Sequence, residues 1–209
     1  MNAAASALDT TQLLAIAAAL GWASGLRLYA VLFLTGMAGW LGWVDLPSGL
    51  RLLQSPVMLG ASGLMLFVEF FADKIPGLDS VWDLIHTVVR IPAGAALAAA
   101  AFGADQTSWT MAAALMGGTL AAASHVTKAT TRAAINTSPE PVSNIAASLV
   151  GDTAVPLGLW LSWAHPLVFL GALALVLLLS AALVWALAKF LRTLVRRVSG
   201  LLAPRQPMV

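Results

Sequence analysis

The sequence predicts an all-α fold, a polytopic membrane helix bundle with about six transmembrane helices. Of its 209 residues, 60% are hydrophobic and only 10% are charged, and the mean hydropathy is +0.88. Such values are typical of chains whose solvent is lipid. No linker or low-complexity segment divides the chain, so we expect a single integral membrane domain over residues 1–209.

The expected spans follow from the length that a membrane requires. A hydrocarbon core about 30 Å thick needs about 20 apolar residues in each helix. Proline, glycine and charged residues separate six segments of suitable length, at 11–35, 56–75, 79–103, 108–135, 140–164 and 167–193. Helix starts are indicated where a capping residue precedes a first turn, at Ser55-Pro56, Asp79-Ser80 and Ser138-Pro139-Glu140.

The distribution of basic and aromatic residues predicts the orientation. The C-terminal tail, residues 189–209, is basic, and the positive-inside rule places it in the cytoplasm. Six crossings would then place the N-terminus there as well. Five tryptophans fall at the opposite, outer edge of the predicted spans, as in an aromatic belt: Trp40, Trp43, Trp109, Trp160 and Trp163.

Polar and ionisable residues form stripes on four of the predicted helices, because they recur at helical spacing. The stripes are Glu69 and Asp73 on the second helix, Asp79, Asp83, His86 and Arg90 on the third, His125, Lys128 and Arg132 on the fourth, and Asn144 and Asp152 on the fifth. Each pair of striped helices joins at a proline-containing turn and later carries Pro-x-Gly, "PAG" or "PLG". This pattern indicates a weak parallel internal repeat that relates helices two and three to helices four and five.

The stripes extend to the middle of the membrane. Arg90 lies roughly 16 Å along its helix from Asp79, and Asp152 lies at a similar depth on the fifth helix. A single charged side chain at that depth costs about 2.5–3.5 kcal/mol. We therefore expect the stripes to face one another across a polar cleft that opens to the cytoplasm, with Arg90 and Asp152 as the deepest ion pair.

Arg27 is a further intramembrane cation, in the segment "GWASGLRLYAV". It lies about 24 Å along its helix from residue 11, which is beyond the midplane toward the outer side. Two interpretations remain open. Arg27 could form the outer end of a polar path, or its side chain could reach outward to the headgroups.

Three segments also carry a family resemblance: "EFFADKIPGLDSVWDLIHTVVRIPAGA", "HVTKATTRAAINTSPEPVSN" and "GLRLYA". They resemble an uncharacterised family of bacterial integral membrane proteins that is catalogued as a domain of unknown function. The resemblance covers most of the chain. It implies a multi-pass protein of the bacterial cytoplasmic membrane, and it implies no activity.

Three functions remain open. The first is a channel or transporter for a small ion or polar solute, because intramembrane charges mark such pathways. The second is an enzyme that acts on phosphorylated lipid, with Mg²⁺ held by Glu69, Asp73, Asp79 and Asp83. The third is a structural or assembly protein in which ion pairs fix the register of the helices. The transport hypothesis leads, since the sequence contains no phosphate-binding loop, HExxH motif or nucleophile elbow.

The expected partners follow from the same residues. We expect contact with the lipid bilayer and with a small ion or polar solute, and none with nucleic acid, because the basic tail is typical of a membrane anchor. The transport hypothesis requires no cofactor, whereas the enzyme hypothesis requires Mg²⁺. The last helix is apolar all round, so it could face lipid or a second copy of the chain.

Overall fold

The protein is helical throughout the part that the computed structural model describes, residues 8–103, 107–137 and 141–202. This part holds six α-helices and one short 3₁₀ helix, and it holds no strand. The elements are α1 (Thr10–Trp40), the 3₁₀ helix (Ser48–Gln54), α2 (Pro56–Ala72), α3 (Leu78–Phe102), α4 (Thr107–Ile135), α5 (Pro141–Ala164) and α6 (Pro166–Leu202). The all-α helix bundle is confirmed, and the predicted spans coincide with these helices except that α1 and α6 extend further.

One of the three predicted helix starts has the expected capping bond, since the backbone N–H of Met58 donates to Ser55 Oγ at 3.3 Å. At the second, α3 begins one residue earlier than predicted, after Gly77, so Asp79 is not the cap but lies in the first turn. There its Oδ1 accepts from the backbone N–H of Ser80 at 2.7 Å and from that of Gly77 at 2.9 Å. These bonds satisfy N–H groups that have no partner within the first turn of a helix. The third predicted start, at residues 138–140, lies outside the described residues.

The N-terminal half of α1 is buried on all sides at the centre of the bundle. Every residue from Ala15 to Gly25 is buried. Gly21 packs against Gly117 of α4, and farther along both helices the Leu26 carbonyl accepts from Lys128 Nζ at 3.2 Å. Residue numbers therefore rise together along the two helices, so this half of α1 runs parallel to α4.

The N-terminal end of α1 lies beside the C-terminal end of α5. The Gln12 side chain donates from Nε2 to the Trp163 carbonyl at 3.3 Å. At the other end of this half-helix, Arg27 Nη2 contacts Ser148 Oγ at 2.8 Å. This half of α1 is consequently antiparallel to α5.

The helix changes direction at Arg27, whose φ of −148° and ψ of 85° are not helical. The second half of α1 then runs antiparallel to α2, because Phe33 packs on Gly63 and Gly36 packs on Leu53, just before α2 begins. Gly49 of the 3₁₀ helix in turn packs on Ala100, near the C-terminal end of α3. The second half of α1 therefore returns to the end of the bundle from which the first half entered.

The bend makes α1 a re-entrant hairpin with Arg27 at its apex, so these contacts do not support the prediction that residues 11–35 cross in one straight helix. By length and hydropathy α1 still qualifies as a membrane span, as do α3, α5 and α6. The 3₁₀ helix and α2, which are bent by 69° relative to each other, qualify when they are counted together. By their contacts, five of the described helices run from one end of the bundle to the other, α2 to α6. Composition alone does not reveal that an apolar helix turns back.

The bundle therefore has two chemically different ends. The tryptophan end, as expected for the aromatic belt, carries Trp40, Trp43, Trp109 and Trp160, which are 47–76% exposed, together with the half-buried Trp163. The basic end carries Lys74, Arg132, Lys189, Arg192 and Arg196. Residue 10 lies at the tryptophan end, whereas α6 finishes at the basic end.

One cluster of buried apolar residues joins α1 and the 3₁₀ helix to α3, α4, α5 and α6. The single-domain organisation and the internal repeat stay predictions. The directions of the helices fit a parallel repeat, since α2 and α4 run toward the basic end while α3 and α5 run away from it.

Close packing of α1 on α4 depends on Gly25, because a Cβ at that position would collide with the Ala121 carbonyl oxygen and Ser124 Oγ. A Cβ on Gly60 of α2 would meet nothing within 4 Å. We expect Gly25→Ala to lower the free energy of unfolding by about 1–3 kcal/mol, and Gly60→Ala to change it by less than about 0.5 kcal/mol. Thermal unfolding in detergent measures both, and equal effects would contradict the close packing.

The re-entrant hairpin predicts that the two ends of the described chain are accessible from opposite sides of the membrane. The native sequence contains no cysteine, so Thr11→Cys and Thr193→Cys each introduce a single thiol at an exposed position. We expect a membrane-impermeant maleimide to label only one of the two variants in intact cells and both in permeabilised cells. Labelling of both variants in intact cells would contradict the hairpin.

Candidate functional site

The interior of the bundle contains ten ionisable side chains that form salt bridges, five cations and five carboxylates. They lie on α1 to α5 and in the turn between α2 and α3. Their formal charges cancel. The cations are Arg27, Lys74, Arg90, Lys128 and Arg132, and the carboxylates are Glu69, Asp73, Asp79, Asp83 and Asp152.

Eight of the ten form one continuous series of alternating charge, which we call the ion-pair chain. Its first part starts at Lys74, whose Nζ lies 2.9 Å from Asp152 Oδ2. Arg27 Nη2 then joins Asp152 Oδ1 at 2.8 Å to Asp73 Oδ2 at 3.1 Å. The apex of the re-entrant hairpin thus links α5 to the C-terminal end of α2.

The second part of the ion-pair chain crosses from α2 to α3 through a lysine of α4. Lys128 Nζ lies 2.8 Å from Asp73 Oδ2 and 2.9 Å from Asp83 Oδ1. Arg90 continues the series, with Nη1 at 2.6 Å from Asp83 Oδ1 and Nη2 at 2.7 Å from Glu69 Oε1. Asp73 and Asp83 therefore each contact two cations.

The remaining two charges form a separate pair near the basic end. Arg132 Nε lies 3.5 Å from Asp79 Oδ2, and Arg132 Nη1 donates to both the carbonyl and the side-chain oxygen of Asn144. Asn136 Nδ2 donates to Asp79 Oδ1 at 3.2 Å. This group connects α4 to the first turns of α3 and α5.

The helical stripes predicted from the sequence position most of these groups. Asp79, Asp83, His86 and Arg90 are all buried along one face of α3, and His125 and Arg132 are buried on α4. The expectation that the stripes face one another is confirmed for α3 and α4 by the salt bridges of Asp83 with Lys128 and of Asp79 with Arg132.

The predicted ion pair between Arg90 and Asp152 is wrong. Arg90 is satisfied by Glu69 and Asp83, on α2 and α3, whereas Asp152 pairs with Arg27 and Lys74. The re-entrant hairpin is the physical reason, because its apex supplies Asp152 with a nearer cation.

The bend in α1 places Arg27 within the ion-pair chain, where it is 2% exposed. This burial contradicts the interpretation in which its side chain reaches outward to the headgroups. The interpretation of Arg27 as the outer end of a polar path stays a prediction. Lys74 was also missed, since a lysine in a turn at the end of a helix gives no signal that it reaches Asp152 at 2.9 Å and the Phe70 ring at 3.2 Å from its centroid.

The two histidines occupy different environments. His125 Nε2 lies 2.7 Å from Thr87 Oγ1, and His125 Nδ1 lies 3.5 Å from Arg90 Nη1, so this ring borders the ion-pair chain. His86 stacks on Trp82 with ring centroids 4.0 Å apart and bonds to the Trp82 carbonyl at 2.8 Å. His86 therefore packs beside the chain, and no contact with its charged members is described.

The ion-pair chain is largely buried. Glu69, Asp73 and Arg90 are 0% exposed, and the most exposed side chains among the ten are Lys74 and Asp152, at 18%, and Lys128, at 11%. Exposure is therefore greatest at the Lys74 end, in the turn between α2 and α3, and the opening of a cleft to the cytoplasm stays a prediction.

The carboxylates considered as Mg²⁺ ligands are distributed over several cations. Glu69 and Asp83 contact Arg90, Asp73 contacts Arg27 and Lys128, and Asp79 contacts Arg132. Within residues 8–103, 107–137 and 141–202, no three His, Asp or Glu side chains lie close enough together to hold one metal ion. The geometry thus favours ion pairing among the residues that it brings together.

Comparison with known proteins agrees with the resemblance found in the sequence. Residues 14–187 match the model of a family described as "Domain of unknown function (DUF4126)". The chain belongs to the DUF4126 family. The match includes all ten charges and both halves of the re-entrant hairpin from residue 14 onward. Neither curated proteins nor solved structures gave a match, so the DUF4126 assignment identifies the family without an activity.

The ion-pair chain of this DUF4126 protein predicts a large effect of a single substitution. Asp73→Asn removes the carboxylate that Arg27 and Lys128 share, and it leaves two buried cations short of a partner. We expect the free energy of unfolding to fall by about 3–5 kcal/mol. The matched control is Asp45→Asn, at an exposed position. Equal thermal stability of the two variants in detergent would contradict the role assigned to Asp73.

Proposed function

We propose that this protein is a membrane transporter for a small ion or polar solute, and that the ion-pair chain is the part that rearranges during transport. The observation that carries this proposal is the alternating series from Lys74 to Glu69, which joins α1 to α5 in the interior of an otherwise apolar bundle. Ionisable groups inside a membrane are costly, and they typically mark ion pathways, proton relays or substrate sites.

Two carboxylates of the ion-pair chain are each shared by two cations, and this sharing supports a rearrangement of the salt bridges during transport. Asp73 lies within hydrogen-bonding distance of both Arg27 and Lys128, and Asp83 Oδ1 contacts both Lys128 and Arg90. A cation can therefore leave one carboxylate while the second cation still neutralises it. Exchange of partners in this way avoids the large cost of an unpaired buried charge.

Several polar atoms of the ion-pair chain have no hydrogen-bond partner among the described residues, which a purely structural network would avoid. Glu69 Oε2, Asp83 Oδ2 and Arg90 Nε are buried without a hydrogen bond among the described residues. An unsatisfied buried polar group costs about 1–3 kcal/mol. The two carboxylate oxygens can accept a transported cation, a proton or a hydrogen bond from water, and Arg90 Nε can donate to an anion or to water.

The burial of the charged side chains favours a transporter over an open channel. A channel conducts through a continuous hydrated path, whereas four of the charged side chains are 0% exposed. The bend at Arg27 supports the same assignment, because transporters commonly place binding sites where a helix is interrupted near the midplane. Irregular backbone at that depth is tolerated where it is covered by protein, as the Leu26 carbonyl is by Lys128.

The membrane and the orientation belong to the proposal as well. We assign the basic end to the cytoplasm, because Lys189, Arg192 and Arg196 lie there at exposed positions. The remainder of the predicted basic tail, from Arg197 onward, lies outside the described side chains. With a re-entrant α1 and five crossing helices, this assignment places residue 10 on the outer side, which differs from the shared cytoplasmic location predicted from six crossings.

Flux through reconstituted liposomes tests the transport proposal. We expect wild-type protein to move at least one member of a panel of ions and small polar solutes. Asp83→Asn and Arg90→Gln, which remove opposite charges from one salt bridge, should each reduce that flux at least tenfold. The matched control, Lys189→Gln, lies on the exposed part of α6 and should retain it.

The outcomes separate the three functions. Size-exclusion profiles in detergent check that each variant is folded before its flux is compared. Wild-type flux equal to that of protein-free liposomes for the whole panel would contradict transport. Mg²⁺-dependent turnover of lipid phosphate in the same liposomes would favour the enzyme hypothesis, and silence in both assays with reduced thermal stability of the variants would favour a structural role.

A further inference from the structure

A cavity of about 490 Å³ lies beside the ion-pair chain, between α1, α4, α5 and α6. Its walls are largely apolar and include Trp22, Ala154 and Val176. Two wall residues also face outward, Val150 with 69% and Leu183 with 43% of the residue exposed. The cavity therefore opens sideways, toward the region that acyl chains occupy around a membrane protein.

The polar part of the cavity is positively charged. Three cations line it, Arg27, Lys128 and Arg132, and Asp73 is the one carboxylate among the lining residues described. Lys128 and Arg132 belong to one face of the last turns of α4, where hydroxyl groups of Thr127 and Thr131 also border the cavity. An anion at this position would meet more cations than carboxylates on the cavity wall and could accept several hydrogen bonds, in competition with the carboxylates that pair with these cations.

Arg27 provides the second observation. Its side chain is 2% exposed, and its Nη2 atom makes all of its described hydrogen bonds and salt bridges. Nε and Nη1 are buried without a partner in the described part of the chain. A guanidinium group presents its donors in a fixed planar fork that suits phosphate and carboxylate groups. Arg27 thus lines the cavity and keeps two buried donors without a partner among the described residues.

We propose that this cavity binds one anionic membrane lipid, with the phosphate group near Arg27, Lys128 and Arg132 and an acyl chain along Trp22, Ala154 and Val176. Basic pockets between membrane helices are a known setting for lipid headgroups, and the volume falls within the usual range of ligand pockets, about 300–1,000 Å³. Free phosphate could contact the cations, but it would not contact the apolar walls or the lateral opening of the cavity. This binding site is additional to the transport proposal and does not depend on it.

Lipid binding can be measured on the purified full-length protein without a transport assay. Native mass spectrometry and thermal shift in mild detergent compare phosphatidylglycerol, phosphatidylcholine and inorganic phosphate as probes. We expect phosphatidylglycerol to bind at least tenfold more tightly than phosphatidylcholine and to raise the melting temperature, and inorganic phosphate at the same concentration to have no effect.

Two α6 variants test the location. Ser180→Phe introduces a bulky side chain on the cavity wall and leaves every salt bridge intact, whereas Ala182→Phe introduces the same side chain at an exposed position two residues away. Ser180→Phe should weaken phosphatidylglycerol binding at least tenfold, and Ala182→Phe should leave it unchanged. Lys128→Gln should reduce the preference for phosphatidylglycerol over phosphatidylcholine.

Three results would overturn the proposal. These are equal affinity for the two lipids, unchanged binding by Ser180→Phe, and stabilisation by inorganic phosphate that equals stabilisation by phosphatidylglycerol. The last result would assign the site to a free anion. Because none of these measurements uses flux, a failure here leaves the transport proposal as it stands, and a failure of transport leaves the lipid site as it stands.

Discussion

Neutralisation of charge inside an apolar bundle is the constraint on which the rest of the structure depends. Ten ionised side chains at about 2.5–3.5 kcal/mol each would exceed the net stability of an ordinary domain, about 5–15 kcal/mol. Equal numbers of cations and carboxylates remove the net charge, and the salt bridges at 2.6–3.5 Å remove the individual unpaired charges. The helices must therefore pack so that five of them, together with one turn, bring these groups within contact. Register and tilt follow from that requirement as much as from apolar packing.

The re-entrant hairpin places a cation between carboxylates of two different helices. Asp152 on α5 and Asp73 at the end of α2 both lack a cation from α3, because Arg90 is already committed to Glu69 and Asp83. The bend in α1 supplies Arg27 between them. It also presents the Leu26 carbonyl to Lys128, which gives this carbonyl a partner next to the interruption of the helix. Glycines 21 and 25 allow the first half of α1 to approach α4 closely enough for this contact.

The sequence predicted what depends on local patterns. Helix positions, the tryptophan end and the stripes on α3 and α4 follow from hydropathy, capping and helical spacing, which are properties of neighbouring residues. The hairpin and the choice of ion-pair partners depend on which helices touch. An apolar helix that crosses and one that turns back at Arg27 have the same composition, so the fold of α1 and the partners of Arg90 and Asp152 could not be deduced. Lys74 was missed for the same reason, since its partner lies 78 residues away in the chain.

The ion-pair chain and the lipid cavity share Arg27, Lys128 and Asp73, and this overlap links the two proposals physically. A phosphate group in the cavity would compete with Asp73 for both Arg27 and Lys128, because the two anionic groups would draw on the same donors. Any shift of Lys128 toward the cavity weakens its contact with Asp83, which Arg90 still neutralises. A change in occupancy of the cavity would therefore pass along the ion-pair chain as a change of partners. Coupling of this kind requires the carboxylates to be shared, and Asp73 and Asp83 are the two that are shared between cations on different helices.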